Sequence, residues 1–283
     1  MPDAIPFLAF ALGSALTLTP QTTTGPARGT LMLVGGGANR PSFIQTFVAL
    51  AGGPDATVVL IPTTLEDDRL TPDGLARLHD SMAGIFGVQH VVVLHTRDRH
   101  QADSEAFVAP LRYASGVWVL GGNEDYLMDA YTGTRTQTEV SALLARGGVF
   151  GGTSAGAIIQ GSATVLADGP AYKALFIDPK HIPFGLLPNT IVLPHWSQRK
   201  LQTPFATTLA TAPTLLGIGI DEATAAVVQR DQLEVVGDGH VGIYDGKDHD
   251  GRLYVSLSSG QRFDLAKRVV LQDRRPRAAP RPR

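Results

Sequence analysis

The chain has 283 residues, of which 43% are hydrophobic and 18% charged, enough to bury a full core as one large domain or two modest ones. Its formal net charge of -2 argues against a generic nucleic-acid binder. There is no cysteine, which excludes disulfide staples, thiolate catalysis and cysteine-ligated zinc, so a serine must carry any side-chain nucleophilic chemistry of this kind.

Ile5 to Leu18 is an apolar run, too short to span a bilayer but suited to the core of a signal peptide. Met1 to Ala4 carry no Lys or Arg, and Asp3 has the wrong sign. Two readings therefore stand: export through an atypical signal peptide, or a cytoplasmic protein with an untidy or mis-started N-terminus. Residues 1–28 are read as this segment and a linker, because Thr19 to Gly29 is polar and contains Pro and Gly.

From Gly29 onward, short apolar runs alternate with helical patterns, the signature of a parallel sheet covered on both faces. Leu31 to Val34 is the first strand, closed by Gly35-Gly36-Gly37; without a full G-x-G-x-x-G pattern, these glycines read as a plain tight turn. Phe43, Phe47 and Leu50 recur at helical spacing. Thr57 to Pro62 is a second strand, Leu75 to Phe86 a second helix and His90 to Leu94 a third strand. His95 and His100 follow in a charged stretch, read as a solvated loop rather than a metal site. Val117 to Leu120 is a fourth strand. It ends in Gly121-Gly122-Asn123-Glu124, where free backbone N–H groups face the carboxyl end of the sheet.

Gly147 to Gly161 organises the rest. Val149 and Phe150 run into Gly151-Gly152-Thr153-Ser154-Ala155-Gly156-Ala157, so Ser154 sits where a strand turns sharply into a helix, with Gly152 and Gly156 completing G-x-S-x-G. Small neighbours permit the strained turn, and the helix start offers N–H groups to a developing oxyanion. The bland alternative is a Gly-rich turn used for phosphate binding or close packing.

A polar, poorly periodic stretch follows to Pro188. Thr190 to Leu193 is a short strand delivering Pro194 and His195; Thr203 to Thr211 fits a helix and Leu215 to Ile220 a strand ending in Asp221-Glu222. From Ala223 to Leu271, short strands separated by Gly/Asp turns read as antiparallel hairpins closing the sheet's edge. Asp245 to Gly251 is read as a hairpin turn rather than a calcium loop, since the downstream glutamate is missing. The divisions expected are an α/β catalytic domain over 29–222, a β-rich extension of the same domain over 223–272, and a disordered basic tail over 273–283.

A serine nucleophile needs a base, and the base an orienting carboxylate. His195 suits the base, at a strand end beside Ser197, Gln198 and Arg199. Asp168, in the turn Ala167-Asp168-Gly169-Pro170, is the candidate acid, with Asp178 and Asp221 as rivals. The order Ser154, Asp168, His195 is that of the α/β-hydrolases, but the short serine-to-histidine spacing indicates a different scaffold.

Gly-Thr-Ser154-Ala-Gly-Ala, Gly121-Gly122-Asn123, Gly185-Leu-Leu-Pro188, His195-x-Ser-Gln-Arg199 and Gly217-Ile-Gly-Ile-Asp-Glu222-x-Thr224-Ala together resemble peptidase family S51, over about Gly29 to Val228. That family contains cyanophycinases and aspartyl dipeptidases. The resemblance implies a flavodoxin-like fold similar to class I glutamine amidotransferases, with helices on both faces and here a β-rich C-terminal extension. It implies Ser154 as nucleophile, His195 as general base, and an oxyanion hole from Ala155 and the Gly121-Gly122 turn. The LADGP segment resembles the dipeptidases' acid-bearing turn at Asp168; cyanophycinases carry a later glutamate, and none lies between Glu139 and Glu222.

His-x-Ser-Gln-Arg is most similar to cyanophycinases, which release β-aspartyl-arginine. This implies substrate contacts from Asn123, Glu124, Ser197, Gln198 and Arg199, with Arg199 clamping a carboxylate. Two departures stand out: Leu193-Pro194 where cyanophycinases typically show Asp-Gln, and Glu124 at or next to the place of a glutamine. Glu124 reads equally as a substrate ligand or as a carboxylate stabilised at a helix start. The expected activity is serine-type peptide hydrolysis at aspartyl residues through an acyl-enzyme, without metal or cofactor. Aspartyl dipeptidase action and non-catalytic binding are the alternatives. The expected partners are a peptide or cyanophycin-like substrate and, as one option, a second copy of the chain, with no nucleic acid and no stable membrane span.

Overall fold

The computed structural model describes residues 24–37 and 41–271. The apolar N-terminal run and the Pro/Arg-rich tail lie outside the described residues. No helix among the described residues is long and apolar enough to cross a membrane.

The chain begins with β1 (Thr30–Val34), α1 (Pro41–Leu50), β2 (Thr57–Ile61), α2 (Pro72–Phe86) and β3 (His90–Val93). Their boundaries follow from local chemistry. Thr57-Val-Val-Leu-Ile and His90-Val-Val-Val are β-branched runs that suit a pleated, buried surface. Helix α2 starts at Thr71, whose side chain accepts the Gly74 N–H, with Pro72 at the first helical position, and stops at left-handed Gly87.

Next come α3 (Arg99–Ala102), α4 (Glu105–Tyr113), β4 (Gly116–Val119), α5 (Glu124–Tyr131), α6 (Arg135–Ala145), β5 (Val149–Thr153) and α7 (Ala155–Ile158). The charged stretch after β3 is not a solvated loop. Asp98 caps α3, and His95 Nδ1 meets Thr63 Oγ1 at 2.9 Å, with burial depressing the His95 pKa. Arg97 donates to the Thr63 and Leu65 carbonyls and stacks on Tyr126, so this corner is tied to the loop after β2.

The remaining elements are a hairpin of β6 (Val165–Ala167) and β7 (Leu175–Ile177), then β8 (Thr190–Pro194), α8 (Gln202–Ala210) and β9 (Leu216–Ile220). They are followed by β10 (Thr224–Gln229), β11 (Gln232–Gly237), β12 (Val241–Tyr244), β13 (Val255–Leu257), β14 (Arg262–Asp264) and β15 (Val269–Leu271).

The central sheet has nine strands in the order β15-β14-β11-β10-β1-β5-β4-β2-β3. Strands β3, β2, β4, β5 and β1 are parallel, and the first four follow the neighbour sequence of flavodoxin-like sheets, with β1 in the fifth place. Strands β10, β11, β14 and β15 extend the sheet antiparallel beyond β1. Alternation sends Leu31, Leu33, Val117 and Val119 to one face, against α4, α5 and α6, and Met32, Val34 and Trp118 to the other, against α1 and α2. Both faces are therefore covered by helices, as the alternation of elements implies.

One expectation needs correction. The strands from Thr190 onward do not all complete one sheet: β8 and β9 pair with each other in parallel and, with β12 and β13, form a second four-stranded sheet. Of the C-terminal hairpins, only β10, β11, β14 and β15 close the edge of the central sheet. Ile218, Ile220, Val241 and Ile243 join the central core, whereas Trp196, Phe205 and Tyr244 form a separate apolar layer with Ile191 and Leu193. The carboxyl ends of two parallel sheet segments are thereby brought face to face.

Candidate active site

Strand β5 delivers Ser154. Its parallel register with β1 pairs Thr153 with Val34, so the Ser154 N–H donates to the Val34 carbonyl at 2.9 Å and Gly35 emerges beside the serine. On the other side, β4 pairs Val119 with Gly152 and brings Gly121 close to the Ser154 side chain. Ser154 has φ 53° and ψ -114°, a sparsely allowed conformation for an L-residue that marks the sharp turn expected of a strained nucleophile elbow. A Cβ at Gly152 would lie 2.4 Å from the Gly156 carbonyl oxygen, so the turn can close this tightly only with glycine there.

Strands β8 and β9 deliver the other two groups. Pro194 pairs with Ile220, which places His195 beside Asp221-Glu222 at the next step of two adjacent parallel strands. The His195 N–H donates to the Gly35 carbonyl at 2.9 Å, and the Ala223 N–H to the Gly36 carbonyl at 2.9 Å. The Gly35-Gly36-Gly37 segment is therefore more than a tight turn. It separates the serine from the base and acid loops, and a Cβ at Gly36 would sit 2.5 Å from His195 Cε1.

Across this junction, Ser154 Oγ lies 2.9 Å from His195 Nε2, and His195 Nδ1 lies 2.7 Å from Glu222 Oε1. A carboxylate at Nδ1 fixes the proton there and leaves Nε2 free to accept the serine proton. Burial lowers the His195 pKa, the Glu222 hydrogen bond opposes that shift and Arg199 adds to it, which keeps the imidazole neutral and competent as a base to lower pH.

Glu222, not Asp168, is the carboxylate that meets the base. Asp168 is exposed on the loop joining β6 to β7, where its Oδ1 accepts the Ala174 N–H at 3.1 Å. Its small-residue turn stabilises the hairpin rather than the triad. Asp178 pairs with His181 at 2.6 Å, and Asp221 is buried against backbone N–H groups. Glu222 lies two residues beyond the strand that runs parallel to the one delivering His195, a relation that appears only once β8 and β9 are paired.

Helix α7 is a single turn, so anion stabilisation here rests on individual N–H groups rather than on a macrodipole. Among the described residues, no acceptor is found for the N–H groups of Ala155, Gly121 or Gly122; Ala155 follows the serine directly, Gly121 lies against the Ser154 side chain and Gly122 lines the cavity over it.

A cavity of about 300 Å³ opens over Ser154 and His195. Its lining carries both signs of charge, from Arg199 and from Glu124, Asp125 and Asp178. Arg199 Nη1 donates to Tyr172 Oη at 2.8 Å and its guanidinium stacks 4.8 Å from that ring, so the hairpin of β6 and β7 braces it. Burial pushes the Glu124 pKa up. For Asp178, burial also pushes upward, but the Lys180 N–H and His181 hold the carboxyl below its ordinary range.

Of the five residues expected to touch substrate, only Glu124 and Arg199 line this cavity. Asn123 instead caps α5, its side chain accepting the Asp125 N–H at 2.9 Å, and Glu124 and Asp125 occupy the first turn of that helix. The Ser197 N–H donates to Asp221, and Gln198 Oε1 accepts the Glu222 N–H. Asp125, Asp178 and His181 bring potential metal-ligand atoms within 4.8 Å of one another, but the Asp178–His181 bond already occupies the imidazole nitrogen facing the carboxylates.

The sequence model of Peptidase family S51 matches residues 31–236. A cyanophycinase of Nostoc sp. (strain PCC 7120 / SAG 25.82 / UTEX 2576) is 32% identical over 279 residues, covering 89% of this chain and 90% of that protein. The cyanophycinase of Geminocystis herdmanii (strain PCC 6308) is 29% identical over 227 residues, covering 78% of this chain and 82% of that one. Among solved structures, a peptidase from an acI-B1 Actinobacterium superposes with a TM-score of 0.67 at 25% identity, covering 85% of this chain and 98% of that one. A putative peptidase E protein from Listeria monocytogenes EGD-e shares the fold, with a TM-score of 0.52 at 18% identity over 75% of this chain and 100% of that one.

Proposed function

The chain belongs to peptidase family S51 as a cyanophycinase-like serine peptidase, and from that premise we propose that it hydrolyses aspartyl peptides bearing arginine through Ser154, His195 and Glu222. The observation that carries this reading is the continuous chain of contacts from Ser154 Oγ through His195 to Glu222 Oε1. His195 Nε2 takes the hydroxyl proton as Oγ attacks the scissile carbonyl, and the imidazolium is held by Glu222. The oxyanion is received by the Ala155 N–H and one from the Gly121-Gly122 turn. His195 then returns the proton to the leaving amine, and a water activated by the same base releases the acyl group as a free carboxylate and restores Ser154.

The charged walls support a substrate with both signs of charge. Arg199, already oriented by Tyr172, suits a carboxylate by a two-point contact, and a guanidinium would relieve the buried Glu124. Such a pairing fits what the resemblance to cyanophycinases implies, a β-aspartyl-arginine unit carrying both charges. Leu193 and Pro194 contribute an apolar floor in place of polar side chains, so selectivity in this chain falls on Glu124 and its neighbours.

The test is a substrate panel: cyanophycin, free Asp-X dipeptides and an uncharged β-aspartyl peptide, followed by chromatography of soluble products. Release of β-Asp-Arg from polymer, with little turnover of free dipeptides, supports the reading. Turnover of dipeptides alone would replace it with aspartyl dipeptidase action.

A further inference from the structure

Gln198 lies outside the catalytic cavity, and its side chain is used elsewhere. Its Oε1 accepts the backbone N–H of Glu222 at 2.9 Å. The preceding residue makes a bond of opposite sense: the Ser197 N–H donates to Asp221 Oδ1, also at 2.9 Å. The loop after β8 and the turn after β9 are thus joined twice, each lending a side chain to the other's backbone. Asp221 is buried, and its second oxygen accepts the His240 N–H at 3.0 Å, which ties the turn to the loop before β12. Thr224 Oγ1 completes the turn by donating to the Glu222 carbonyl at 3.2 Å.

We propose that Gln198 and Asp221 form a reciprocal clasp that sets the distance and angle between His195 and Glu222, which makes Gln198 a positioning residue rather than a substrate ligand. The inference rests on reading Ser154, His195 and Glu222 as nucleophile, base and acid. Two features create the need for such a clasp. The Glu222 side chain is 45% exposed, so burial does little to hold it in one rotamer. His195 has φ 55°, a conformation that a non-glycine residue keeps only where the surroundings over-determine it. The hydrogen bonds of His195 to Gly35 and of Arg199 to His195 fix the base from its own side. The pairing of β8 with β9 and the Trp196 N–H to the Ile220 carbonyl at 3.1 Å set the two strands side by side, and the clasp adds the side-chain ties that join the base loop to the acid turn beyond the strand ends. Asp221 carries more of the structural load because it is buried and accepts two backbone N–H groups, so Gln198 is the cleaner site to probe.

The experiment uses the full chain with two readouts. One is the rate at which a fluorophosphonate labels Ser154, which needs the serine and base but no cognate substrate. The other is kcat and KM on cyanophycin. Gln198→Met keeps the side chain's length and removes its acceptor; the expected result is roughly a tenfold loss in labelling rate and in kcat, with KM within about twofold. Gln198→Glu, which keeps an acceptor oxygen, restores most of that loss. In a Glu222→Gln background, Gln198→Met causes no further loss beyond about twofold, because the residue acts only through the acid.

A raised KM with unchanged kcat and labelling would make Gln198 a substrate ligand and overturn the proposal. So would a second, undiminished tenfold loss in the Glu222→Gln background. If Gln198→Met does not fold, Gln198→Asn is too short to reach the Glu222 N–H and is held to the same criteria. A wild-type protein that is labelled but inactive on cyanophycin counts against the substrate reading and leaves the labelling test of the clasp intact. A wild type that is neither labelled nor active overturns both.

Discussion

Replacing Glu222 by glutamine keeps the shape of the acid and removes its charge, so it isolates the electrostatic support of the base. The carboxylate oxygen lies 2.7 Å from His195 Nδ1, and its side chain is 45% exposed. Two opposite unit charges about 4 Å apart interact by about 1 kcal/mol in water and about 4 kcal/mol at an effective dielectric of roughly 20. An imidazolium formed in the transition state should therefore lose between those limits, or roughly five- to a thousandfold in kcat. The half-exposed carboxylate places this below the roughly ten-thousandfold loss known for a fully buried triad acid. KM should stay near its wild-type value, because Glu222 does not line the cavity. The His195 pKa is already lowered by burial, and Glu222 is the group that opposes this shift. Removing the charge should move the acid limb of the residual kcat/KM profile to lower pH. The assay is initial-rate release of soluble dipeptide across pH, with Asp168→Asn measured alongside. Asp168→Asn should remain within about twofold of wild type, since surface substitutions away from special features have small effects. Wild-type rates in Glu222→Gln, or a larger loss in Asp168→Asn, would refute the assignment of the acid.

Gly36→Ala should reduce kcat by on the order of 100-fold without loss of the fold, because the new Cβ would sit 2.5 Å from His195 Cε1 and displace the ring; kinetics together with an unchanged circular dichroism spectrum check this. Burial raises the Glu124 pKa, so its charge, and with it any hold on a cationic substrate, is present above the raised pKa and is lost as pH falls through it. KM for cyanophycin should thus begin to rise at a higher pH than an ordinary carboxylate would give, and Glu124→Gln should remove that dependence. Trp196→Ala should cost about 3–5 kcal/mol in denaturant unfolding, since the indole is buried, packs edge-on to Tyr254 at 5.0 Å and donates to Tyr244 Oη at 2.9 Å.

Much of this architecture is legible in the sequence, for physical reasons that also explain what is not. Runs such as Thr57-Val-Val-Leu-Ile and Leu216-Gly-Ile-Gly-Ile have local patterns strong enough to mark buried strands, and Gly152-x-Ser154-x-Gly156 carries its own steric logic. Which strand pairs with which is a tertiary choice. Nothing local distinguishes β8 and β9 as the start of a second sheet, and without that pairing Glu222 has no evident relation to His195. The hairpin of β6 and β7 has only three residues per strand and exposes Leu166 and Phe176, so its pattern is faint, and Asp168 stands out as a candidate acid by sequence order and by the resemblance of its LADGP turn. Gln198 misleads for a different reason. A polar residue three positions after the base suggests substrate contact, whereas its bond is to the backbone of a loop 24 residues further on.

The central claim is that Ser154 is the nucleophile, and its most direct measurement compares wild type with Ser154→Ala on cyanophycin, following soluble β-Asp-Arg and the thermal unfolding of both proteins. The account predicts release by wild type only, with the two unfolding curves closely matched. Sustained release by a clean, folded preparation of Ser154→Ala would contradict it.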